Sequence, residues 1–145
     1  MSESERYLVS RRTVHVGWGD CDAAQIVYYP NYFRWMDQGT GELFERVGLS
    51  HKAIREINGV GIPLVDAHAS FRISSSFGDD LQLDSTVVEW GRTSFKVSHR
   101  FYESKGVLAA EGTEVRVWAV PHPDNPFRVG TAPIPREIIE RFLLR

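Results

Sequence analysis

Apolar and polar positions alternate from Thr13 to Trp18. Val14, Val16 and Trp18 face one way and Thr13, His15 and Gly17 the other, a period of two that predicts a strand. The alternation stops at Gly19-Asp20-Cys21-Asp22. From Pro30 the period changes: Phe33, Met36, Thr40, Leu43, Phe44 and Val47 recur at helical spacing. Pro30 suits a first turn and Gly48 a C-terminal stop, so a helix is predicted from about Pro30 to Val47. The second half returns to period two. Val65, Ala67, Ala69, Phe71 and Ile73 alternate with Asp66, His68, Ser70, Arg72 and Ser74, which predicts a half-buried strand with one polar face. Phe77 to Asp80 reads as a turn. Leu81 to Trp90, Thr93 to Tyr102 and Val107 to Val120 continue as strands, separated by turns at Gly91-Arg92 and Ser104-Lys105-Gly106. Pro121 to Pro126 is a loop, and Pro135 to Leu144 carries Ile138, Ile139, Phe142 and Leu143 at helical spacing.

One long helix followed by a strand-rich half predicts an α+β domain in which an antiparallel meander covers the helix, with a short C-terminal helix. The 145 residues match one domain spanning 1–145, without repeats or low-complexity tracts. A single sheet wrapped about one helix leaves backbone edges unpaired, so at least a dimer joined edge to edge is expected.

Composition narrows the partners. A 42% apolar and 25% charged chain is that of a globular protein. Acids and bases are interspersed with a net charge of -2, which lacks the basic stripe of a nucleic-acid binder. The opening Met1-Ser-Glu-Ser-Glu-Arg6 is polar and acidic where a secretory signal would be basic and then apolar. No apolar run approaches the roughly 20 residues of a membrane span. Cys21 has no second cysteine to pair with. Cytoplasm is therefore the expected location.

The reactive chemistry concentrates in Trp18 to Tyr32, a stretch dense in polar, aromatic and turn residues between a strand and the start of the long helix. The N–H groups of a helix's first turn have no partner within the helix, and the dipole adds partial positive charge there. A carbonyl oxygen gaining negative charge would be stabilised at that point. A carboxylate placed across from it, with Asp22 as the candidate, could attack an acyl carbon or draw a proton from water. Against this stands the ordinary use of Asp20 and Asp22 as turn or cap acids before a helix.

Other chemistries fit less well. Two adjacent acids disfavour a Cys21 thiolate, so a buried structural thiol is expected there. Asp20 and Asp22 lack a dedicated third ligand for Mg²⁺. His15, His51, His68, His99 and His122 are scattered and show no zinc spacing, so neither metal nor other cofactor is expected. Gly-x-Ser-x-Gly, P-loop and Gly-x-Gly-x-x-Gly patterns are absent from the sequence.

Gly19-Asp-Cys-Asp22, Ile26-Val27, Tyr29-Pro-Asn-Tyr32 and Arg34-Trp35 with Asp37 closely resemble the signature of the 4-hydroxybenzoyl-CoA thioesterase family. The match continues through Gly48-Leu49, Pro63, Ala69-Ser70-Phe71, Asp80-Leu81, Glu89-Trp90, Ser94-Phe95 and Val115-Arg116-Val117, nearly the whole chain. The resemblance implies a hot-dog fold, an antiparallel sheet wrapped around one long helix, assembled as homodimers that often pair into tetramers. It implies hydrolysis of an acyl-CoA, with Asp22 as the catalytic carboxylate and the Tyr29 backbone amide polarising the thioester carbonyl. Asp37 matches the acid in the region that receives the acyl ring. The turn Gly91-Arg92-Thr93-Ser94 matches the one that helps hold the nucleotide of coenzyme A. Two departures stand out: the basic cluster of that turn is reduced to Arg92, with Arg128 as an alternative anchor, and Ile62 replaces a small hydroxylated residue before Pro63. Asp66 and His68 add to the polar face near the expected acyl site.

An aromatic acyl-CoA such as 4-hydroxybenzoyl-CoA or benzoyl-CoA is the expected substrate, with short aliphatic acyl-CoA as runner-up. An acyl-carrier-protein thioesterase would need a basic face for its acidic carrier. A non-catalytic acyl-CoA-binding module would lack the acid at Asp22. On the long helix, 100° per residue puts Asp37 within about 40° of Phe33 and about 20° of Phe44, at the edge of the apolar arc. There it either accepts a hydrogen bond from the substrate ring, or reaches solvent or pairs with Arg34 or Arg72.

Overall fold

The structure, a computed structural model, describes residues 6–144. Strands β1 (Val9–His15), β2 (Leu64–Phe71), β3 (Asp80–Trp90), β4 (Ser94–Tyr102) and β5 (Leu108–Val117) form one antiparallel sheet in the order β1-β3-β4-β5-β2. The long helix α1 (Pro30–Glu45) lies on one face of it, followed by α2 (His51–Asn58). Two three-residue strands, β6 (Ala119–Pro121) and β7 (Val129–Thr131), pair with each other, and α3 (Arg136–Glu140) ends the fold. This is the hot-dog arrangement expected from the sequence, with β3, β4 and β5 as the predicted meander.

Strand alternation explains the packing. Leu81, Leu83, Ser85 and Val87 of β3, and Phe95, Val97, His99 and Phe101 of β4, are all buried against the helix side, while their neighbours are partly or fully exposed. The helix sits close to the sheet because two glycines leave room. A Cβ on Gly112 would stand 2.7 Å from both Met36 Sδ and the His68 carbonyl oxygen, and one on Gly39 2.5 Å from Ser85 Oγ.

The core divides in two. Tyr32, Trp35 and Met36 of α1 pack with Val14, Leu81, Leu83 and Phe101, whereas Leu43 and Phe44 pack with Val87, Phe95, Val97, Trp118 and Phe142. On α1, β3 and β4, which contribute to both clusters, the buried polar residues Thr40, Ser85 and His99 separate the two groups, and on β5 Glu114 and Arg116 lie between Ala110 of one cluster and Trp118 of the other, just past the strand's end.

Several boundaries differ from expectation. The first strand ends at His15, and Trp18–Asp20 form a 3-10 turn closed by the Asp20 carboxylate, which accepts from Gly17 N–H at 2.9 Å, leaving Trp18 69% exposed. The strand predicted as half-buried is β2, at the sheet's edge. Val65 and Phe71 remain 59% and 49% exposed, because only β5 flanks the strand and α1 scarcely covers it. Helix α2 escaped the periodicity reading, although Ser50 caps it through Ala53 N–H at 3.1 Å and Gly59 ends it at φ 85°. The strand predicted to run to Val120 breaks after Val117, where Trp118 N–H turns to the Thr93 carbonyl at 2.8 Å. The C-terminal helix is shorter than the predicted Pro135 to Leu144 because Arg141 and Phe142 bond back in 3-10 fashion.

Candidate active site

Between β1 and α1 the chain folds into a small hairpin. Cys21 and Val27 form an antiparallel bridge, Tyr28 N–H donates to the Asp20 carbonyl at 2.8 Å, and Asp22 N–H to the Ile26 carbonyl at 3.0 Å. At the tip, Gln25 N–H returns to the Asp22 carbonyl at 2.9 Å and Gln25 takes φ 64°, a left-handed conformation uncommon outside glycine. The tip is anchored from outside, since Ser76 Oγ donates to the Gln25 carbonyl at 2.6 Å and Val27 N–H to the Ser75 carbonyl at 2.8 Å.

The two acids of this hairpin are used differently. Asp20 is fully engaged: one oxygen takes Gly17 N–H and the other pairs with Arg34 at 2.9 Å. Asp22 is exposed, and one of its oxygens accepts Ala24 N–H at 2.9 Å, an Asx turn that fixes the carboxylate's direction. Among the described residues no cation pairs with Asp22 and its second oxygen has no donor. It opens onto a cleft of about 260 Å³ lined by Trp18, Cys21, Ala23 and Gln25. Cys21 is half-buried, its Sγ directed at the Gly17 carbonyl at 3.7 Å.

The hairpin leads straight into α1, with Tyr29 at the cap position and Pro30 opening the helix. Asn31 and Tyr32 N–H bond back to the Tyr28 and Tyr29 carbonyls at 2.9 and 3.1 Å. Among the described residues the Tyr29 N–H meets no acceptor, so an oxyanion donor is available at the positive end of the helix. Tyr29 lines a second cleft, of about 220 Å³, with Ile26, Val27, Tyr32, Phe71 and Ile73. Burial raises the pKa of the Tyr32 phenol, only partly opposed by a hydrogen bond from Ser75, so its ring is a neutral wall of this cleft.

The remaining sequence-predicted residues line neither of these two clefts. Asp37 reaches the surface of α1 with its side chain 63% exposed, and its partner is Arg116 at 2.7 Å. The partners expected for it are engaged elsewhere, Arg34 with Asp20 and Arg72 with Glu111. Ile62 is 5% exposed and packs in the core, while its carbonyl accepts from Arg116 Nη1 at 3.0 Å. Arg92 is exposed in the β3–β4 turn, which is braced by Ile134 N–H on the Arg92 carbonyl at 2.8 Å. Ser94 lines a small cleft with Glu89, Gly91 and Lys96. Among the described residues no group of three or more His, Cys, Asp or Glu converges in a metal-binding arrangement, and no helix is long and apolar enough to cross a membrane.

Sequence reading passed over the polar residues beneath α1. Glu114 is 2% exposed and accepts from Arg116 at 2.9 and 3.3 Å, from His99 Nε2 at 3.0 Å and from the Thr40 hydroxyl; His99 Nδ1 meets Ser85 Oγ at 2.7 Å. Burial alone would raise the Glu114 pKa, but the hydrogen bonds from His99 and Arg116 outweigh it and hold the group at about 2. Burial likewise works against the charge on Arg116, and Glu114 and Asp37 together reverse it, raising its pKa. A signal was present: Ser85 and His99 fall in the apolar phase of their strands.

Residues 16–142 match the model of the thioesterase-like superfamily. A 4-hydroxybenzoyl-CoA thioesterase of Pseudomonas sp. (strain CBS-3) is 32% identical over 131 residues, 86% of this chain and 91% of that one. The three-dimensional structure of that enzyme superposes with a TM-score of 0.83, covering 92% of this chain and 98% of the other. The BH1999 gentisyl-coenzyme A thioesterase is 31% identical with a TM-score of 0.78, over 90% and 99% of the two chains. A 1,4-dihydroxy-2-naphthoyl-CoA hydrolase of Synechococcus sp. (strain WH7803) is 31% identical over 96 residues, 61% of this chain and 63% of that one.

Proposed function

The chain belongs to the thioesterase-like superfamily and is a thioester hydrolase, and we propose that it cleaves aromatic acyl-CoAs of the 4-hydroxybenzoyl or benzoyl type to the free acid and coenzyme A. The observation that carries this reading is a carboxylate without a cation at Asp22, on the hairpin that leads into a helix-start N–H without an acceptor at Tyr29, each lining its own cleft. The substrate's carbonyl oxygen takes the Tyr29 N–H. The Asp22 carboxylate attacks the carbonyl carbon, the C–S bond breaks, and the thiolate of coenzyme A leaves and takes a proton from solvent. Water then cleaves the mixed anhydride, releasing the acid and restoring Asp22. In the variant of this scheme Asp22 removes a proton from water, which attacks the carbon directly. The aromatic preference is supported by the three enzymes named above, whose substrates carry hydroxylated rings.

In this reading Asp37 receives the ring hydroxyl, Ile62 shapes the acyl end through its backbone, and Arg92 and Ser94 hold the nucleotide. These residues line neither the Asp22 cleft nor the Tyr29 cleft within one chain, which favours a homo-oligomer, dimer or tetramer, in which a second copy closes the site. The exposed edge of β2, with Leu64, Val65 and Phe71 and, just beyond the strand, Ile73 each more than 40% accessible, is the surface offered for that contact. The lone Cys21 accords with a reducing cytoplasm.

A thiol-release assay of the purified protein against matched aromatic and short aliphatic acyl-CoAs tests the proposal. The expected result is kcat/KM at least about tenfold higher for 4-hydroxybenzoyl-CoA than for a short aliphatic acyl-CoA, a difference of about 1.4 kcal/mol. An aliphatic preference would overturn the substrate class, and no thiol release from any acyl-CoA would overturn the reaction.

A further inference from the structure

Among the described residues Arg116 joins the buried polar belt to the surface at Asp37, bonding both Glu114 and Asp37. Its guanidinium is held on three sides. Nε and Nη2 donate to the two oxygens of Glu114 at 3.3 and 2.9 Å, and Nη1 donates to the Ile62 carbonyl at 3.0 Å. The remaining direction of Nη2 is spent on Asp37 Oδ1 at 2.7 Å. A planar guanidinium fixed at three nitrogens cannot turn to follow a partner, so the partner must turn to it. The Arg116 side chain is 7% exposed and that of Asp37 63%, so this contact sits where the buried belt meets solvent.

We propose that Arg116 is a specificity-determining positioning residue: it holds position 37 with Oδ1 turned inward and Oδ2 turned outward, so that this site presents a fixed hydrogen-bond acceptor to the substrate ring. The inference rests on the reading that Asp37 receives the para substituent, and adds that the direction of that contact is dictated from the core. A para-hydroxyl donates to such an acceptor. A para-methoxy group, which has no proton to give, leaves the carboxylate unmatched.

Asp37→Asn distinguishes a held side chain from a free one. An asparagine held by Arg116 must turn its amide oxygen inward to take the Arg116 N–H, which leaves its NH₂ facing the ring as a donor. A free asparagine would turn its oxygen outward and accept from the hydroxyl as the carboxylate did. The quantity to measure is the ratio of kcat/KM for 4-hydroxybenzoyl-CoA to that for 4-methoxybenzoyl-CoA, in the wild type, Asp37→Asn and Asp37→Ala. The expected result is a fall of at least about tenfold in Asp37→Asn, comparable to or larger than that in Asp37→Ala. If Asp37→Ala lowers the ratio but Asp37→Asn retains it within about threefold of wild type, the side chain is free and the role of Arg116 is overturned while Asp37 stays at the ring. If Asp37→Ala leaves the ratio at its wild-type value, Asp37 does not meet the ring, and the underlying reading falls with the inference. Arg116→Lys combined with Asp37→Asn adds a second arm, because an ammonium without the fork should release the amide and restore much of the hydroxyl preference; no restoration in a folded double variant counts against the proposal. The single position-37 variants decide the question by themselves if that double variant does not fold, since Asp37 is a solvent-facing side chain.

Discussion

Asp22 and Glu114 are carboxylates in opposite circumstances. Glu114 is 2% exposed, takes hydrogen bonds from Arg116, His99 and Thr40, and is held at about 2. Asp22 is exposed on a hairpin tip and holds a single backbone N–H. The difference teaches what partners do to an acid. A carboxylate with both oxygens engaged organises structure and is a poor nucleophile, whereas one with a free oxygen and a fixed direction remains available for reaction. The same contrast recurs within the hairpin, where Asp20 is consumed by Gly17 and Arg34 two residues from Asp22.

The largest effect should come from the buried member. Glu114→Gln leaves Arg116 buried without its main counter-charge, and breaking a buried pair from one side costs about 3–5 kcal/mol. The pH dependence has a definite sign. The folded-state pKa, about 2, is depressed below the ordinary value of 4.5, so the stabilisation is fully present above about pH 4.5 and is lost as pH falls towards 2. Urea midpoints of wild type and variant should therefore differ most near neutrality and converge under acid. Parallel curves over that range would show that Glu114 is not ionised against Arg116 in the folded state.

Next in size is the exposed member. Asp22→Asn keeps an oxygen for the Ala24 N–H, so the hairpin and the urea midpoint should be unchanged. Turnover should fall by at least about two orders of magnitude, about 2.7 kcal/mol in the barrier. The two carboxylates thus predict opposite phenotypes, stability without chemistry and chemistry without stability. A variant at Asp22 that unfolded, or one that turned over normally, would dissolve the contrast.

How far the sequence revealed these two regions differs for a physical reason. The place of the reactive stretch was legible because Asp-Cys-Asp and Tyr-Pro-Asn-Tyr are local patterns set against the helix start at Pro30, whereas its hairpin, closed by the Cys21–Val27 bridge, was not read. The meander was legible from period-two alternation, and α1 from helical spacing. The polar belt is a product of tertiary register. His99 faces Glu114 only because β4 and β5 pair His99 with Gly112, which sets Glu114 diagonally across, and the closeness of Gly39 and Thr40 to them depends on the seat of α1. No spacing along one strand encodes that. Helix α2 was missed because it is a single short amphipathic segment of eight residues, and the exposure of β2 because alternation reports a strand's two faces and not its place at an edge.

A smaller effect tests the contrast within the hairpin. Asp20→Asn preserves the oxygen for Gly17 N–H but loses the ion pair to Arg34, whose side chain is 52% exposed. An exposed pair contributes about 1 kcal/mol or less, which corresponds to a Tm shift of about 3 °C or less in a domain of this size. Turnover should fall by less than about tenfold, through small displacement of the neighbouring Asp22. Equal losses of turnover in Asp20→Asn and Asp22→Asn, measured side by side by thiol release, would remove the distinction between the two acids.

The smallest effect is expected at Arg92, which lies on the far side of the fold's division of labour, in neither the hairpin nor the belt. Its side chain is exposed, and the backbone of its turn is held independently by Ile134 N–H on the Arg92 carbonyl and by Trp118 N–H on the Thr93 carbonyl, both at 2.8 Å. Removing the side chain therefore leaves the turn in place. What is lost is a guanidinium able to pair with a phosphate of coenzyme A, at the opposite end of the substrate from the thioester. Such a contact contributes equally to ground and transition states, so it enters KM and leaves kcat alone. In water at the surface it is worth about 1 kcal/mol, and Arg92→Ala should raise KM by about fivefold. Because the interaction is ionic and screened, the wild-type KM should rise with salt and the variant's KM should respond less. A KM and salt response equal to wild type would move the phosphate contact elsewhere, with Arg128, exposed in the loop before β7, as the next residue to replace.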